Sequence, residues 1–283
     1  MDTLLKWIGS KRNTAETIVS FFPSEFNRYF EPFFGGGAVF CELHLKESEH
    51  RHSEDFVSDA LPFLMGVYRL AKENPGDLKK RYADEIELYL TNPDSEYDAL
   101  RERFRKTKDP ADFAVLTRLC YGGIIRFRKS DGYMSTPRGP HSPISADAFA
   151  RRVNEWGSML SNANVGCSDF SEVMLSAKIG DVVYCDPPYP GSQSIVYGAQ
   201  SFDIARLWDS VASAKARGAK VAVSVGWKRE NGLKDVAPAI PDGIFARKVA
   251  VGCGKSMIER MNGRGSQKIA ENVDDLLLLT WQK

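Results

Sequence analysis

The segment Asp181–Tyr189 places reactive residue types at the end of a predicted buried strand. Its apolar run is rich in valine, which favours a strand, and it leads directly to Asp186. Pro187 and Pro188 lack a backbone N–H, so neither a β-ladder nor a helix continues beyond Asp186. We therefore expect the Asp186 carboxylate, the free proline carbonyls and the Tyr189 ring at the carboxyl end of this strand, where open α/β sheets bind ligands.

A glycine turn earlier in the chain is a second candidate site. Three glycines, Gly35–Gly37, follow an aromatic strand that contains Glu31, and they open a helix that we predict to reach about Leu45. Glycine permits positive φ and lets a ligand approach the backbone closely. The spacing matches neither the G-x-G-x-x-G fingerprint nor a G-K-[ST] phosphate loop, so the turn predicts a ligand but not a pyrophosphate. A tightly packed turn without a ligand is the alternative.

Two more acidic residues follow predicted strands. Asp59 ends a short strand about twenty residues beyond the glycine turn, and Asp169 follows a strand near residues 165–167. An acidic residue at the offset of Asp59 binds ribose hydroxyls in α/β nucleotide sites. The alternative for Asp59 is an N-cap of the next helix, which we predict over residues 60–71.

The elements that must position these residues alternate between strand and helix at both ends of the chain. The first part begins with a helix predicted over 12–22, and the alternation resumes after residue 145. There the patterns predict helices over 146–160 and 204–217 and strands over 220–225, 245–251 and 276–280. Between about residues 68 and 145 they predict three helices, over 78–90, 95–104 and 111–120, followed by a hairpin that turns at Ser-Asp-Gly. This organisation indicates an α/β fold with an insertion.

Positive charge is concentrated in the predicted insertion. The segment Arg101–Arg138 contains ten Lys or Arg and four Asp or Glu, whereas the whole chain has a net charge of +1. One hairpin arm interleaves Arg126 and Arg128 with an aromatic residue, and the other carries Tyr133, Met134 and Thr136. A basic, aromatic ribbon can enter a DNA groove and contact phosphates and base edges. We interpret the insertion as a partner-recognition element; a solvated helix face would also explain the charge.

Composition excludes several other classes of protein. Apolar residues make up 43% and charged residues 27% of the 283 residues, as in ordinary globular proteins. The five cysteines include no CxxC and the four histidines form no ligand motif, so we expect reduced thiols in a cytosolic setting and no metal site. No run approaches the roughly 18 apolar residues of a membrane span, and the N-terminus lacks a signal-peptide core.

Several motifs, in a fixed order, resemble the Dam-like adenine-specific DNA methyltransferases of the alpha group of amino-methyltransferases. The three that carry the resemblance are Lys6-Trp7-Ile8-Gly9-Ser10-Lys11, the turn from Glu31 to Phe40, and Asp186-Pro187-Pro188-Tyr189. The segment Leu119–Gly123 and the basic loop before Val273–Leu277 match as well. The resemblance covers nearly the whole chain. It implies a Rossmann-like AdoMet-dependent methyltransferase sheet in residues 1–67 and 146–283, with a mostly helical target-recognition domain carrying a β-hairpin inserted at 68–145.

The resemblance also implies a methyl donor, S-adenosyl-L-methionine, with S-adenosyl-L-homocysteine as product. Trp7 and Lys11 would border its pocket, Asp59 would bind its ribose, and Asp169 would lie near its adenine. Its methionine part would be held by Glu31 and by the turn residues Phe33, Phe34, Gly35 and Gly37. Asp186 would contact both cofactor and substrate, with Pro187 and Tyr189 as the other catalytic residues. The implied DNA-binding residues are Lys6, Arg126, Arg128, Tyr133, Met134, Thr136 and Arg138.

The chemistry explains why these residue types are needed. The lone pair of the adenine exocyclic amine is delocalised, and two acceptors, the Asp186 carboxylate and the Pro187 carbonyl, favour a more tetrahedral nitrogen in a dry pocket. The base must leave the duplex stack to react, and Tyr189 would stack on it. The expected partner is double-stranded DNA, and the expected setting is the cytoplasm of a bacterial or phage-infected cell. The chain would act as a monomer or weak dimer, with a restriction endonuclease as a conceivable partner.

Two other functions remain open on the sequence alone. The first keeps the fold and changes the substrate to cytosine, RNA or a protein amide; cytosine enzymes more often carry Ser at the position of Asp186, and protein-amide enzymes Asn. The second is a catalytically silent DNA-binding regulator, against which the intact acidic and aromatic positions argue. Two departures from the family concern the motifs themselves, because Gly122 stands where Asn is frequent and Ser10 where Gly is commoner. Fold and reaction therefore follow more directly from the resemblance than the target sequence does.

Overall fold

The computed structural model describes residues 1–128, 130–188, 202–229, 238–255 and 272–282, and within them a seven-stranded sheet forms the centre of the fold. Valine and aromatic residues dominate its middle strands, which suits a pleated surface covered on both faces. The strands are β1 (Arg28–Glu31), β2 (Glu54–Val57), β3 (Asn164–Val165), β4 (Val182–Cys185), β5 (Lys220–Arg229), β6 (Arg247–Lys255) and β7 (Asn272–Leu279).

The strand order creates a crevice at one edge of the sheet. The order is β3-β2-β1-β4-β5-β7-β6, with β1 to β5 parallel and β7 antiparallel to both β5 and β6. The chain first builds outward from β1 to β3 and then restarts at β4 on the other side of β1. Ligands bind at such a reversal, outside the carboxyl ends of the strands. Glu31, Asp59 and Asp186 all stand at that edge, since each ends or follows a parallel strand.

Helices cover both faces of this sheet. They are α1 (Ala15–Val19), α2 (Ala38–Leu45), α3 (Pro62–Glu73), α4 (Pro75–Thr91), α5 (Pro93–Thr107), α6 (Pro110–Leu119), α7 (Ala146–Met159), α8 (Phe170–Leu175) and α9 (Ile204–Ala216). Alternate side chains of the central strands face opposite layers, as the two-residue period of a strand requires. Tyr29 and Tyr184 join the larger hydrophobic core, whereas Phe30 and Cys185 join the core beneath α8 and α9.

Four successive helices, α3 to α6, each begin at a proline. Proline fits the first helical turn because its missing N–H would be unsatisfied there in any case. The carboxylate of Asp109 caps α6 by accepting hydrogen bonds from the backbone N–H groups of Ala111 (2.8 Å) and Asp112 (3.1 Å). Tyr82 of α4 stacks on Phe149 of α7 with ring centroids 3.8 Å apart. The helical segment therefore shares one core with the rest of the fold, and the boundaries 68–145 stay a prediction.

The α/β fold with a Rossmann-like sheet is confirmed, and the differences from the predicted elements are local. The first helix is shorter than the predicted 12–22, because residues before Ala15 form turns. Helix α8 was not predicted. The predicted hairpin has its turn and hydrogen bonds between its two arms, but within the described residues the arms meet in two isolated bridges, Cys120↔Arg138 and Phe127↔Met134, and not in a continuous ladder. None of the helices described has the length and hydropathy that a bilayer crossing needs.

Candidate active site

A cavity of about 410 Å³ opens at the crevice between β1 and β4. It is lined by every residue that the sequence analysis assigned to a cofactor: Trp7, Lys11, Glu31, Phe33, Phe34, Gly35, Gly37, Asp59, Asp169 and Asp186. These residues come from five separate stretches of the chain. The fold brings them together because the segments after β1, β2, β3 and β4 all end at the same edge of the sheet.

The glycine turn between β1 and α2 forms one wall of the cavity. Gly35 and Gly37 have φ values of +48° and +63°, in the left-handed region that disfavours other residues. A Cβ on Gly35 would lie 2.9 Å from Trp7 Nε1, and one on Gly37 would lie 2.8 Å from both Phe34 Cζ and Trp156 Cη2. The turn therefore presents bare backbone to the cavity because there is no space for side chains.

Asp59 fixes this turn from the neighbouring strand. Its carboxylate accepts hydrogen bonds from the backbone N–H of Gly35 (3.0 Å) and of Leu61 (3.1 Å). Burial raises the pKa of Asp59 to about 6, although these hydrogen bonds act in the opposite direction. Helix α3 has Leu61 as its N-cap, so Asp59 is not the N-cap of this helix. The Asp59 side chain instead lies in the wall of the cavity.

Glu31 is a second buried carboxyl in the same cavity, only 2% exposed. It accepts a hydrogen bond from the Tyr29 hydroxyl at 2.7 Å. Burial raises the pKa of Glu31 well above its ordinary value, and the nearby negative charge of Asp186 adds to this effect, while the Tyr29 hydrogen bond opposes it. A cationic group entering the cavity would favour the ionised form of Glu31.

Asp186 is held by a lysine from the N-terminal part of the chain. Lys11 Nζ lies 2.8 Å from Asp186 Oδ1 and 3.3 Å from Asp275 Oδ2 on β7. Burial alone would lower the pKa of Lys11, but the two carboxylates outweigh it and raise the pKa above its ordinary value. Lys11 is therefore positively charged at neutral pH, and it lies beside Asp186, the carboxylate that the family resemblance implies is catalytic.

The opposite side of the cavity is aromatic. Phe33 stacks on Phe170 with centroids 5.1 Å apart, and Phe202 lies edge-on to Phe33 at 5.8 Å. Asp169 caps α8 and accepts from Arg206 Nη2 at 2.7 Å. Burial alone would raise the pKa of Asp169, but hydrogen bonds from Ser171 and Arg206 lower it. An apolar slot with a carboxylate at its rim suits a planar heterocycle with an exocyclic amine.

Only one of the other two residues predicted to be catalytic, Pro187, lies within the described residues. Pro187 is buried directly after β4, and Pro188 lines the cavity. Tyr189 lies outside the described residues. Ser10, Phe170, Phe202, Arg206 and Asp275 were not predicted from the sequence. Asp169-x-x-Glu172 is a capping-box signature that could have revealed α8 and with it Phe170.

The expected DNA-binding residues divide by exposure. Arg126 and Arg128 are exposed, and Arg128 pairs with Asp131 and lies 4.6 Å from the centre of the Tyr133 ring. Arg138 is half-buried beside Asp94, and Lys6 is half-buried against Gly123. All of these positions leave some side-chain surface available to a partner.

Met134 and Thr136 are corrections to the predicted DNA-binding set. Met134 is 0% exposed and belongs to the hydrophobic core, and Thr136, two residues further along the chain, is also buried. Alternate residues of an extended arm face opposite sides, so one side of this arm packs on the protein. These two side chains therefore contribute packing, and on this part of the arm Tyr133 alone stays in the predicted DNA-binding set.

The N-terminal segment, residues 2–11, is tied to the helices that surround it. Arg118 Nε of α6 donates to the carbonyl of Leu4 at 3.1 Å. On α7, Arg152 donates to the carbonyl of Thr3 at 2.9 Å, and Trp156 to that of Asp2 at 3.0 Å. Burial lowers the pKa of Arg118 to about 10, which still leaves it cationic at neutral pH. These bonds place Trp7 and Lys11 in the cavity wall.

One group of potential metal ligands lies at the amino end of β2, away from this cavity. His44 Nε2 is 3.1 Å and His52 Nε2 is 2.8 Å from different oxygens of Asp55, and the three ligand atoms lie within 4.8 Å of one another. The two contact distances are those of hydrogen bonds. The expectation of no metal site stays a prediction.

Comparisons with known proteins agree with this geometry. A family model described as D12 class N6 adenine-specific DNA methyltransferase matches residues 7–226. The type II methyltransferase M1.LlaDCHI of Lactococcus lactis subsp. cremoris is 28% identical over 235 residues, covering 77% of this chain and 79% of its own length. The DNA N-6-adenine-methyltransferase of Escherichia phage P1 is 28% identical over 240 residues, or 78% of this chain, which span only 29% of the phage protein.

Among solved structures, the rRNA methyltransferase aviRa from Streptomyces viridochromogenes aligns over 94% of this chain and 81% of its own. The identity is 17% and the TM-score is 0.36.

Proposed function

The chain belongs to the D12 class of N6 adenine-specific DNA methyltransferases, and we propose that it methylates the exocyclic amine of adenine in duplex DNA at the cavity between β1 and β4. One observation carries the proposal: the Asp186 carboxylate opens into the same cavity as the glycine turn and the carboxyls of Glu31 and Asp59. A carboxylate for the substrate amine thus stands beside a pocket for the methyl donor.

The chain's own residues fit S-adenosylmethionine. The bare turn at Gly35 and Gly37 leaves room for a ligand against the backbone, and the buried carboxyl of Glu31 would act as the counter-ion of the ligand's ammonium group. Asp59 would accept from the ribose hydroxyls. Ser10 Oγ is buried in the cavity wall and has no hydrogen-bond partner within the described residues, so it offers a further polar contact. When bound, the cofactor supplies an electrophilic methyl group on a sulfonium.

In this proposal Asp186 prepares the substrate amine. Its carboxylate accepts a hydrogen bond from the amine, and the Pro187 carbonyl is the second acceptor. Two acceptors draw the nitrogen toward a tetrahedral geometry in which its lone pair becomes available. In a pocket that excludes water, such preorganised acceptors contribute a few kcal/mol, and holding the amine in line with the methyl group contributes more. Lys11 keeps Asp186 oriented toward the cavity.

The insertion at 68–145 would hold the DNA. Arg126 and Arg128 are exposed on its ribbon beside the half-buried Tyr133, and Lys6 and Arg138 would flank them. Exposed guanidinium groups suit phosphates and base edges, and an aromatic ring suits a splayed base. The adenine must leave the stack to reach Asp186, at a cost of about a few kcal/mol. We extend the proposal to the cytoplasm of a bacterial or phage-infected cell, where this substrate is found.

A labelled-methyl transfer assay on DNA, RNA and protein tests the proposal. Wild-type protein should label adenine in duplex DNA, and Asp186→Ala should lower turnover at least about 100-fold while calorimetric binding of S-adenosylmethionine remains. Asp209→Ala, an exposed carboxylate on α9, is the matched control and should keep wild-type turnover. Wild-type-like turnover in Asp186→Ala, or label appearing only in RNA or protein, would contradict the assignment. Methylation-sensitive sequencing of the labelled DNA would then give the target site.

A further inference from the structure

Two carboxylates from different strands converge on one buried lysine. Lys11 Nζ contacts Asp186, which follows β4, and Asp275, which lies within β7. The Lys11 and Asp275 side chains are 7% and 8% exposed, and Asp186 is 19% exposed where it meets the cavity. A buried charge is destabilising unless a partner of opposite charge lies close by. The three groups therefore form one ionic cluster, which reaches the cavity through Asp186.

The topology of the sheet explains how Asp275 reaches this place. Strand β7 is antiparallel to β5, so it enters the sheet at the edge where the parallel strands end. Asp275 stands opposite Gly226 on β5 and Val251 on β6, immediately before the buried run Leu276–Leu279. The matched family model ends at residue 226, and the motif Val273–Leu277, which contains Asp275, was given no role in the predicted site.

Sharing the lysine changes the charge that Asp186 presents. A lysine that paired with Asp186 alone would neutralise it and weaken it as an acceptor for the substrate amine. With Asp275 also ionised, the three groups together carry one net negative charge. The other titratable groups that face this cluster within the described residues are Glu31 and Tyr184, with Cys185 directly before Asp186. Asp275 is thus the carboxylate that shares Lys11 with Asp186.

We propose that Asp275 is a positioning residue of the methyl-transfer site, which holds Lys11 against Asp186 and offsets the lysine charge, so that the cluster reaching the cavity through Asp186 keeps one net negative charge. This inference rests on the proposed function. Asp275 acts through Lys11 and does not touch the substrate. Its removal should therefore affect turnover and its pH dependence, and should have little effect on cofactor binding.

The test compares Asp275→Asn and Asp275→Glu in the full chain. Asparagine keeps the shape and removes the charge, so we expect kcat to fall about tenfold, which corresponds to about 1.4 kcal/mol, with the KM for S-adenosylmethionine nearly unchanged. The acid limb of the kcat profile should move to lower pH, because losing a neighbouring negative charge favours ionised Asp186. Glutamate should restore both values.

Asp181→Asn is the control for the structural effect of removing a buried carboxylate. Asp181 pairs with Arg28 at 2.6 Å at the amino end of β4, the edge of the sheet opposite the cavity. The Asp181→Asn variant should have a lower melting temperature, and the acid limb of its kcat profile should not move. Asp275→Ser replaces the asparagine variant should the latter not fold.

The outcomes separate this inference from the proposed function. Failure of wild-type protein to label DNA adenine would refute the proposed function and with it the role of Asp275. With an active wild type, an unmoved acid limb in Asp275→Asn, or no restoration by glutamate, would overturn the positioning role alone.

Discussion

Replacing Gly37 by alanine tests whether geometry requires the glycine turn. Gly37 has φ of +63°, and the new Cβ would lie 2.8 Å from ring atoms of both Phe34 and Trp156. The left-handed conformation costs about 1–2 kcal/mol for a residue with a Cβ. Overpacking against two buried rings costs a further 1–3 kcal/mol or so, because close-packed side chains cannot yield without moving their neighbours. We expect the free energy of unfolding to fall by about 2–5 kcal/mol.

Urea denaturation of Gly37→Ala and of Gly76→Ala measures this difference. Gly76 lies at the start of α4, and a Cβ there would meet nothing within 4 Å. Alanine at Gly76 should be neutral or stabilise by up to about 1 kcal/mol, because it restricts the unfolded chain. The two substitutions add the same methyl group, so their difference isolates the conformation and packing of the turn. If the free energies of unfolding of Gly37→Ala and Gly76→Ala differ by less than about 0.5 kcal/mol, the turn does not need glycine and the reasoning is refuted.

Two further predictions concern side chains outside the cavity. Met134→Ala should lower the free energy of unfolding by about 2–5 kcal/mol and leave DNA affinity unchanged, whereas Arg126→Ala should leave stability unchanged and reduce the salt slope of DNA binding by about one. Urea denaturation measures the stability of both variants, and fluorescence anisotropy measures their affinity for DNA. A Met134→Ala variant that keeps its stability and loses DNA affinity would show that Met134 contacts DNA. Burial opposes protonation of His44, but its hydrogen bond and charge contact with Asp55 outweigh burial and raise its pKa above 6.5, with Glu47 adding a small effect. Its contribution to stability is complete below the unfolded pKa and is lost as pH rises through the raised folded value. Urea midpoints measured from about pH 5.5 to about pH 9 should therefore show wild type losing stability relative to His44→Gln, and parallel curves would contradict this.

Local patterns predicted where Asp186, the glycine turn and Asp59 lie, and the resemblance to the family supplied the other residues around the cavity. Asp186 follows a short buried strand and precedes two prolines, and the triple glycine follows another strand. Both features are contained in fewer than a dozen residues, and the parallel sheet brings strand ends to one edge. The ten predicted cofactor residues therefore line one cavity, although their roles stay proposals. The α/β fold and the family are confirmed.

Contacts between distant segments could not be predicted in the same way. Asp275 approaches Lys11 only because β7 inserts antiparallel between β5 and β6, a pairing that no local pattern specifies. The direction of Met134 was missed for a related reason. Strand periodicity gives two faces of an arm but not which of them packs on the core, and here the core lies on the side of Met134.

The N-terminal segment, residues 2–11, has a thermodynamic consequence. Its carbonyls accept hydrogen bonds from Arg118 of the proposed DNA-binding insertion, Lys6 packs against Gly123 of the same insertion, and Trp7 and Lys11 line the cavity proposed for the cofactor. Any movement of this segment on DNA binding would change the cofactor's surroundings as well. Thermodynamic linkage is reciprocal, so if bound DNA changes the affinity for S-adenosylmethionine by some factor, bound S-adenosylmethionine changes the affinity for DNA by the same factor. A single ten-residue stretch thus provides a direct route for a coupling free energy between the two substrates.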